Sequence, residues 1–323
     1  MSASPSTCVR TFGAGIAFLV SLETPWSALA GERIAEVIVT ATRHPQELQK
    51  FPGSISVVSG DDVQLVGSTH HSESMNRVAG AMIQRNSGEE SLTAVRSPVL
   101  AGPGSCGAFL FLENSIPIRP VGFCNVNELF EVNTEQASSI EILRGPAGVV
   151  YGSGAMHGAI NVMQAAPAEL PRGSVALDAG PDEYYRGKLW LSHKDKNLDF
   201  GAKLLATHDG GWRDSSGVEE QKMNLGLTQR LNEGVLGVNL AATNLDQQSA
   251  GFIQGQDAYR DEAIAESNPN PEAYRDAYAM RLTGEYEREL SQSVGLTVQP
   301  FVRHSRMDFL QHFLIGKPLE ENG

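Results

Sequence analysis

One stretch has residue types and spacing that raise a chemical question. Residues 140–163 read IEILRGPAGVVYGSGAMHGAINVM and hold Gly145, Gly148, Gly152, Gly154 and Gly158. A glycine-rich turn between apolar segments can cradle phosphate with its backbone N–H groups, as a nucleotide enzyme requires. The spacing argues against that use. The loop Gly-Ser-Gly-Ala-Met-His-Gly is neither G-x-G-x-x-G nor G-x-x-x-x-G-K-[ST]. The run AINVM after it is β-like and ends near Pro167, where a dinucleotide fold needs a helix. The glycines are instead expected to make sharp backbone turns at Gly145, Gly152, Gly154 and Gly158 between closely packed strands. Other chemistry-bearing residues are scattered. No nucleophile–base grouping is visible, and the eight histidines show no metal-ligand spacing. His70-His71 reads as an exposed pair near a helix start. No catalytic residue, cofactor or metal is assigned, and a periplasmic nucleotide-binding enzyme using 152–158 is the minor alternative.

The whole chain narrows the classes further. Its 323 residues carry 25 Lys+Arg against 38 Asp+Glu, a net charge of −13. Nucleic acid is excluded as a partner, because phosphate binding needs a basic footprint. No apolar run reaches the roughly 18 residues that a spanning helix requires. At the N-terminus, Arg10 is followed by TFGAGIAFLVSL and then by Ala28-Leu29-Ala30 before Gly31. A positive residue, a short apolar core and a small-x-small site make residues 1–30 a cleaved signal peptide, with a buried N-terminal helix as the alternative. Arg10 and Glu23 cancel, so cleavage leaves the charge unchanged.

Export gives the cysteines a meaning. Cys8 leaves with the signal peptide, and Cys106 and Cys124 remain. Two cysteines in an exported chain are most simply read as one disulfide, contributing about 3 kcal/mol by loop closure. Two buried free thiols are the alternative. A metal site is disfavoured, because neither a Cys-x-x-Cys spacing nor a nearby histidine pair supports it.

The elements that position these residues fall into three regions. Residues 31–50 contain one apolar island, Val37-Ile38-Val39, β-prone and able to pair with another protein's sheet edge or to act as a plain first strand. Residues 51–168 mix short strands with capped helices, Ser59 and Ser68 or Thr69 being the caps, and read as a compact α+β domain. From about 172 the pattern becomes period-two alternation. Tyr278, Met280, Leu282 and Tyr286 alternate with Ala279, Arg281, Thr283 and Glu285, and similar stretches recur as seven strands at about 173–180, 183–193, 197–208, 221–231, 234–245, 276–288 and 292–308. After a compact first turn, short connections (KDKN, NEG, LSQS) alternate with the long loops 209–220 and 246–275. Short turns at one end and long loops at the other mark a transmembrane β-barrel; a soluble β-sandwich would not require that alternation.

In that order, the regions resemble a TonB-dependent outer-membrane receptor of the siderophore-receptor type. EVIVTATR is similar to the TonB box, 51–168 to the plug domain, 172–323 to the first part of the barrel, and 140–163 to the plug signature. Arg96-Ser97 stands where the family usually has Arg-Gly, and Glu113-Asn114 where it commonly has Asp-Gly. The resemblance implies roles for particular residues. Glu36, Val37, Ile38, Val39 and Thr40 would receive TonB by strand addition. Arg96 and Arg144 would meet barrel glutamates, with Arg144–Glu141 inside the plug as the alternative for the second. Trp212, Phe252, Tyr259 and Tyr274 would touch ligand from the external loops, although a membrane-interface girdle explains aromatics equally well.

The fold expected is thus an α+β plug followed by about seven antiparallel barrel strands, against about 22 in a complete barrel of this class. An open sheet in lipid leaves unpaired edges, so the chain is expected to be a fragment or a truncated, non-transporting remnant. The function expected of the whole is TonB-energised uptake of a ferric siderophore or similar metal chelate across the outer membrane. The expected partners are TonB, outer-membrane lipid and the chelate.

Overall fold

The computed structural model describes residues 38–39, 46–101, 107–119 and 128–311. The proposed signal peptide, Glu36, Val37, Thr40 and both Cys106 and Cys124 lie outside the described residues.

The chain first forms a small two-stranded pair, β1 (Ile38–Val39) against β2 (Gln46–Glu47), antiparallel with Ile38 opposite Glu47. β3 (Ser54–Ser59) then leads directly into α1 (Gly60–Val66). Ser59 fixes that junction: its hydroxyl accepts from the Asp62 N–H while the Asp62 carboxylate accepts from the Ser59 N–H, a reciprocal capping box. α2 (His71–Met75) is capped by His70, whose Nδ1 accepts from the Ser72 N–H, and not by Ser68 or Thr69.

β4 (Ala81–Arg85) and β5 (Ser91–Val95) form a hairpin. β6 (Phe109–Glu113) and β7 (Ile116–Pro117) form a second, turning at Asn114 and Ser115, with φ 48° and 65°. Positive φ at both central residues is the signature of a type I′ turn, and asparagine tolerates it. The turn therefore survives where the family's glycine is replaced. β8 (Ser139–Arg144), α3 (Gly148–Tyr151) and β9 (Gly158–Met163) complete the domain. Its five-stranded sheet runs β3-β8-β9-β6-β7, with β6 and β9 parallel and the other pairs antiparallel.

Both faces of this sheet are covered, which explains the unbroken apolar run of β6. Phe109 and Phe111 join Val58, Met75, Ile140, Ile142, Ile160 and Val162 on one side, while Leu110 and Leu112 join Ile55, Leu143, Tyr151 and Ala159 on the other. A strand buried on both faces reads as continuous rather than alternating hydrophobicity.

The C-terminal half is a wall of antiparallel strands in sequence order: β10 (Gly173–Ala179), β11 (Tyr185–Lys194), β12 (Leu198–Asp209), β13 (Val218–Leu231), β14 (Gly234–Gln248) and β15 (Tyr274–Ser291). β16 (Val294–Val298) and β17 (Phe301–Leu310) both pair with β15, end to end. They are one strand broken at Pro300, whose carbonyl accepts from the Gly284 N–H. Proline cannot donate to a ladder, so the interruption falls there. The wall is not closed: among the described residues, β10 has only β11 as a neighbour, and β16 and β17 have only β15. Connections 195–197, 232–233 and 292–293 are short and lie at one end, whereas 180–184, 210–217 and 249–273 lie at the other.

The two faces of the wall differ sharply. On β15, Arg275, Ala277, Ala279 and Arg281 are buried and face inward, while Tyr278, Met280 and Leu282 are exposed on the outer face. Val175, Leu177, Leu191, Phe200, Leu204 and Phe309 are likewise exposed large hydrophobics on the wall. An apolar outer face with a polar inner one is the lipid-facing arrangement of a transmembrane barrel. Among the described residues no helix is long and apolar enough to cross a membrane.

Candidate functional site

The inner face of the wall holds the α+β domain through buried charge. Lys222 on β13 lies 3.1 Å from Glu135 and 3.1 Å from Glu220. Arg186 on β11 donates to the Ser68 carbonyl and, at 3.0 Å, to the Thr69 carbonyl. Lys203 on β12 donates to the Gln136 carbonyl at 2.9 Å. Arg281 on β15 lies 3.0 Å from Glu113 and donates to the Glu131 carbonyl at 2.6 Å. Phe130 inserts among Val218, Leu245 and Ala277, with the Arg275 guanidinium 5.9 Å from its ring. Burying these charges is tolerable because each meets an opposite charge or a carbonyl oxygen.

The carboxylates in the 128–135 segment respond to this environment in opposite ways. Burial pushes Glu131 up to about 7, against the opposing pull of Arg119, and Glu128 beside it also lifts it. Glu128 is raised for the same chief reason, burial. Burial also acts upward on Glu135, but Lys222 and Arg186 outweigh it and hold that carboxylate below its ordinary value. So one end of the segment is a firm anion on Lys222, and the other is two carboxylates sharing Arg119.

The turn of the β4–β5 hairpin docks on the wall beside the long connection 249–273. The Glu89 N–H donates to Gln247 Oε1 at 2.8 Å, and Ser249 donates to Glu90 at 2.7 Å. Gly88 permits this approach, since a Cβ there would stand 2.5 Å from the Gln247 side chain. Between this turn and the connections 180–184 and 210–217 lies a cavity of about 670 Å³. Arg85, Ser87, Asp182, Tyr184, Trp212 and Arg213 contribute to its lining. It is of the size that holds a drug-sized ligand.

The residues singled out from the sequence are distributed unevenly around this site. Ile38 and Val39 form a strand, but one paired to Gln46–Glu47 of the same chain. Trp212 lines the cavity, with Arg213 5.8 Å from its ring. Phe252 and Tyr259 are exposed in the connection 249–273, away from the cavity lining. Tyr274 begins β15 on the same outer face as Tyr278 and Met280, outside the cavity lining. His70-His71 is a correction, because both rings are buried against the domain core instead of exposed.

Arg144 donates to the Ala79 carbonyl and, at 2.8 Å, to Ser56, while the Arg96 side chain flanks it across Gly80. The described contacts of Arg144 are thus within the domain, and Glu141 is buried on the same strand. Of the turn glycines, Gly145, Gly152 and Gly154 have φ of 120°, 83° and 94°. Gly158 is not a turn residue: it opens β9, where a Cβ would stand 2.2 Å from the Leu143 carbonyl oxygen.

Among the described residues, the ion pairs across the boundary join Glu90, Glu113, Glu131 and Glu135 of the α+β domain to Arg275, Arg281 and Lys222 of the wall. The only sequence signal for them was the polar face of each alternating strand.

Residues 47–159 match the family described as the TonB-dependent Receptor Plug Domain. Those residues are a TonB-dependent receptor plug domain. The chain is 27% identical over 229 residues to the vitamin B12 transporter BtuB of Vibrio vulnificus (strain CMCP6), covering 70% of this chain and 35% of that protein. It is 28% identical over 268 residues to the pesticin receptor of Yersinia pestis, covering 77% of this chain and 38% of the relative. The chain therefore spans little more than a third of the length of these curated relatives.

Its fold is shared with the pyoverdine outer membrane receptor FpvA from Pseudomonas aeruginosa PAO1, at TM-score 0.68, 17% identity and 82% and 39% coverage of the two chains. It is also shared with the ferric yersiniabactin uptake receptor FyuA from Yersinia pestis, at TM-score 0.64, 19% identity and 80% and 41% coverage. The α+β domain is the plug, and the wall is the first part of the barrel. The relatives are transporters and receptors, not enzymes, and the glycine-rich loop belongs to the plug rather than to a phosphate site.

Proposed function

We propose that the receptor resides in the outer membrane, after cleavage of a signal peptide, and imports a metal chelate, a ferric siderophore being the leading class. The observation that carries this reading is the cavity between the plug's β4–β5 turn and the longer barrel connections. Long connections of such barrels face outward, so the cavity receives ligand from outside. Arg85 and Arg213 offer charge-assisted hydrogen bonds to an anionic chelate, and Trp212 and Tyr184 offer aromatic faces. The relatives include a vitamin B12 transporter and a pesticin receptor, and cobalamin, a copper complex, haem or a saccharide are the other ligand classes to compare.

Release inward needs an energy source that an outer membrane does not supply. TonB provides it in this reading by adding a strand at Glu36–Thr40. Part of that segment, Ile38–Val39, already holds extended backbone in β1, and an incoming strand would replace β2 or extend the pair. Growth under iron limitation, with and without the gene, together with binding of a panel of ferric chelates to purified receptor, tests the ligand class. Binding of at least one ferric chelate and a growth defect on deletion are expected. Unchanged growth with no chelate bound contradicts the reading.

A further inference from the structure

The ligand cavity and the plug–barrel contacts leave one buried cluster unused. His70, His71 and Glu89 are 0%, 2% and 6% exposed, and His70 Nε2, His71 Nδ1 and Glu89 Oε2 have no hydrogen-bond partner. One ligand-capable atom of each of the three residues lies within 4.8 Å of those of the other two. His71 Nδ1 is 3.7 Å from Glu89 Oε2, too far for a hydrogen bond. Three unpartnered polar atoms buried together are costly, so the arrangement calls for an occupant.

We propose that His70, His71 and Glu89 bind a single divalent d-block cation of the zinc type. Two imidazoles and one carboxylate are the donor set such a cation takes at a site with an open fourth position. Tetrahedral geometry with bonds of about 2.0–2.1 Å puts donors about 3.3 Å apart, so the side chains must close by no more than about 1.5 Å from their 4.8 Å limit.

The outer contacts of the histidines suit this use. His71 Nε2 lies 3.2 Å from the Ser91 hydroxyl; donating its proton there leaves Nδ1 as a lone pair turned into the cluster. His70 Nδ1 lies 2.7 Å from the Ser72 hydroxyl. Ligation at Nε2 moves the imidazole proton to Nδ1, where that hydroxyl accepts it, and the cost is the cap from the Ser72 N–H at 3.1 Å.

Lys222 and Arg85 oppose a cation, and Lys222 is itself neutralised by Glu135 and Glu220. Access follows from sequence adjacency: Thr69 and Gly88, the neighbours of His70 and Glu89, line the 670 Å³ cavity. A bound ion would pin α2 to the very turn that docks on Gln247 and Ser249.

The test titrates the intact receptor in detergent, stripped of metal, with Co²⁺ and follows its ligand-field absorption. Visible bands saturating at one equivalent and displaced by Zn²⁺ are expected. Glu89→Gln and His70→Gln should each weaken Co²⁺ binding at least tenfold, while His193→Gln, on an exposed barrel position, should leave it unchanged. Hydrogen exchange over 70–91 should slow on adding Zn²⁺ to the wild type, a readout that needs no variant to fold. Absence of bands in the wild type, bands that persist within twofold in Glu89→Gln, or exchange unaffected by Zn²⁺ overturns the proposal.

Discussion

The Lys222 ammonium lies 3.1 Å from the Glu135 carboxylate across the plug–barrel boundary, with both side chains buried. Lys222 also holds Glu220 at 3.1 Å. The pair is therefore asymmetric: removing Glu135 leaves Lys222 one partner, whereas removing Lys222 leaves two buried carboxylates without their cation.

Lys222→Met should accordingly be the more damaging change. Breaking a buried pair costs about 3–5 kcal/mol, and Glu135→Gln should fall at or below the low end of that range. Hydrogen exchange at 128–137 in the intact receptor reads the difference, since local opening is what loses protection. Equal effects, or a larger one from Glu135→Gln, would show that Lys222 does not clamp this segment.

Glu131 links the same segment to pH. Its carboxyl is raised from 4.5 to about 7, chiefly by burial. Between those values the folded plug binds more protons than the unfolded chain, so stability falls as pH rises through that window. Protection of 128–137, corrected for intrinsic exchange, should decrease from pH 5 to pH 8, and Glu131→Gln should flatten the profile. A wild-type profile that is already flat would count against the assignment.

Gly158 is needed for space rather than for a turn. A Cβ there would stand 2.2 Å from the Leu143 carbonyl oxygen and 2.8 Å from Val95 Cγ1, whereas nothing lies within 4 Å of one at Gly148. Gly158→Ala should destabilise the plug by about 1–3 kcal/mol, as overpacking does, and Gly148→Ala should be neutral. Limited proteolysis of the two variants separates them, and equal resistance would be inconsistent with the packing described.

Several of these residues show what the sequence could and could not disclose. Period-two alternation revealed the barrel strands to within a few residues, because burial on one face alone writes itself into the chain. It missed only the break at Pro300, where the last strand splits into β16 and β17. The cap at Ser59 was equally visible, since capping is local chemistry, whereas the cap expected at Ser68 or Thr69 falls on His70. Partner choice was not. Whether Arg281 faces Glu113, or Tyr274 lies on the outer face, depends on strand register and on contacts between residues far apart in sequence. The same holds for His70, His71 and Glu89: the hairpin that brings Glu89 to the histidine pair has no sequence spacing of its own.

Uptake of radiolabelled ferric chelate by cells producing the receptor tests the central claim most directly, with Ile38→Pro as the internal comparison. Proline removes a backbone donor from the segment that would receive TonB. The expected result is receptor-dependent accumulation that is lost both in cells lacking TonB and in Ile38→Pro, while chelate binding at the cell surface is retained. Accumulation that is independent of TonB and unaffected by Ile38→Pro, or no receptor-dependent accumulation of any chelate, would contradict the account.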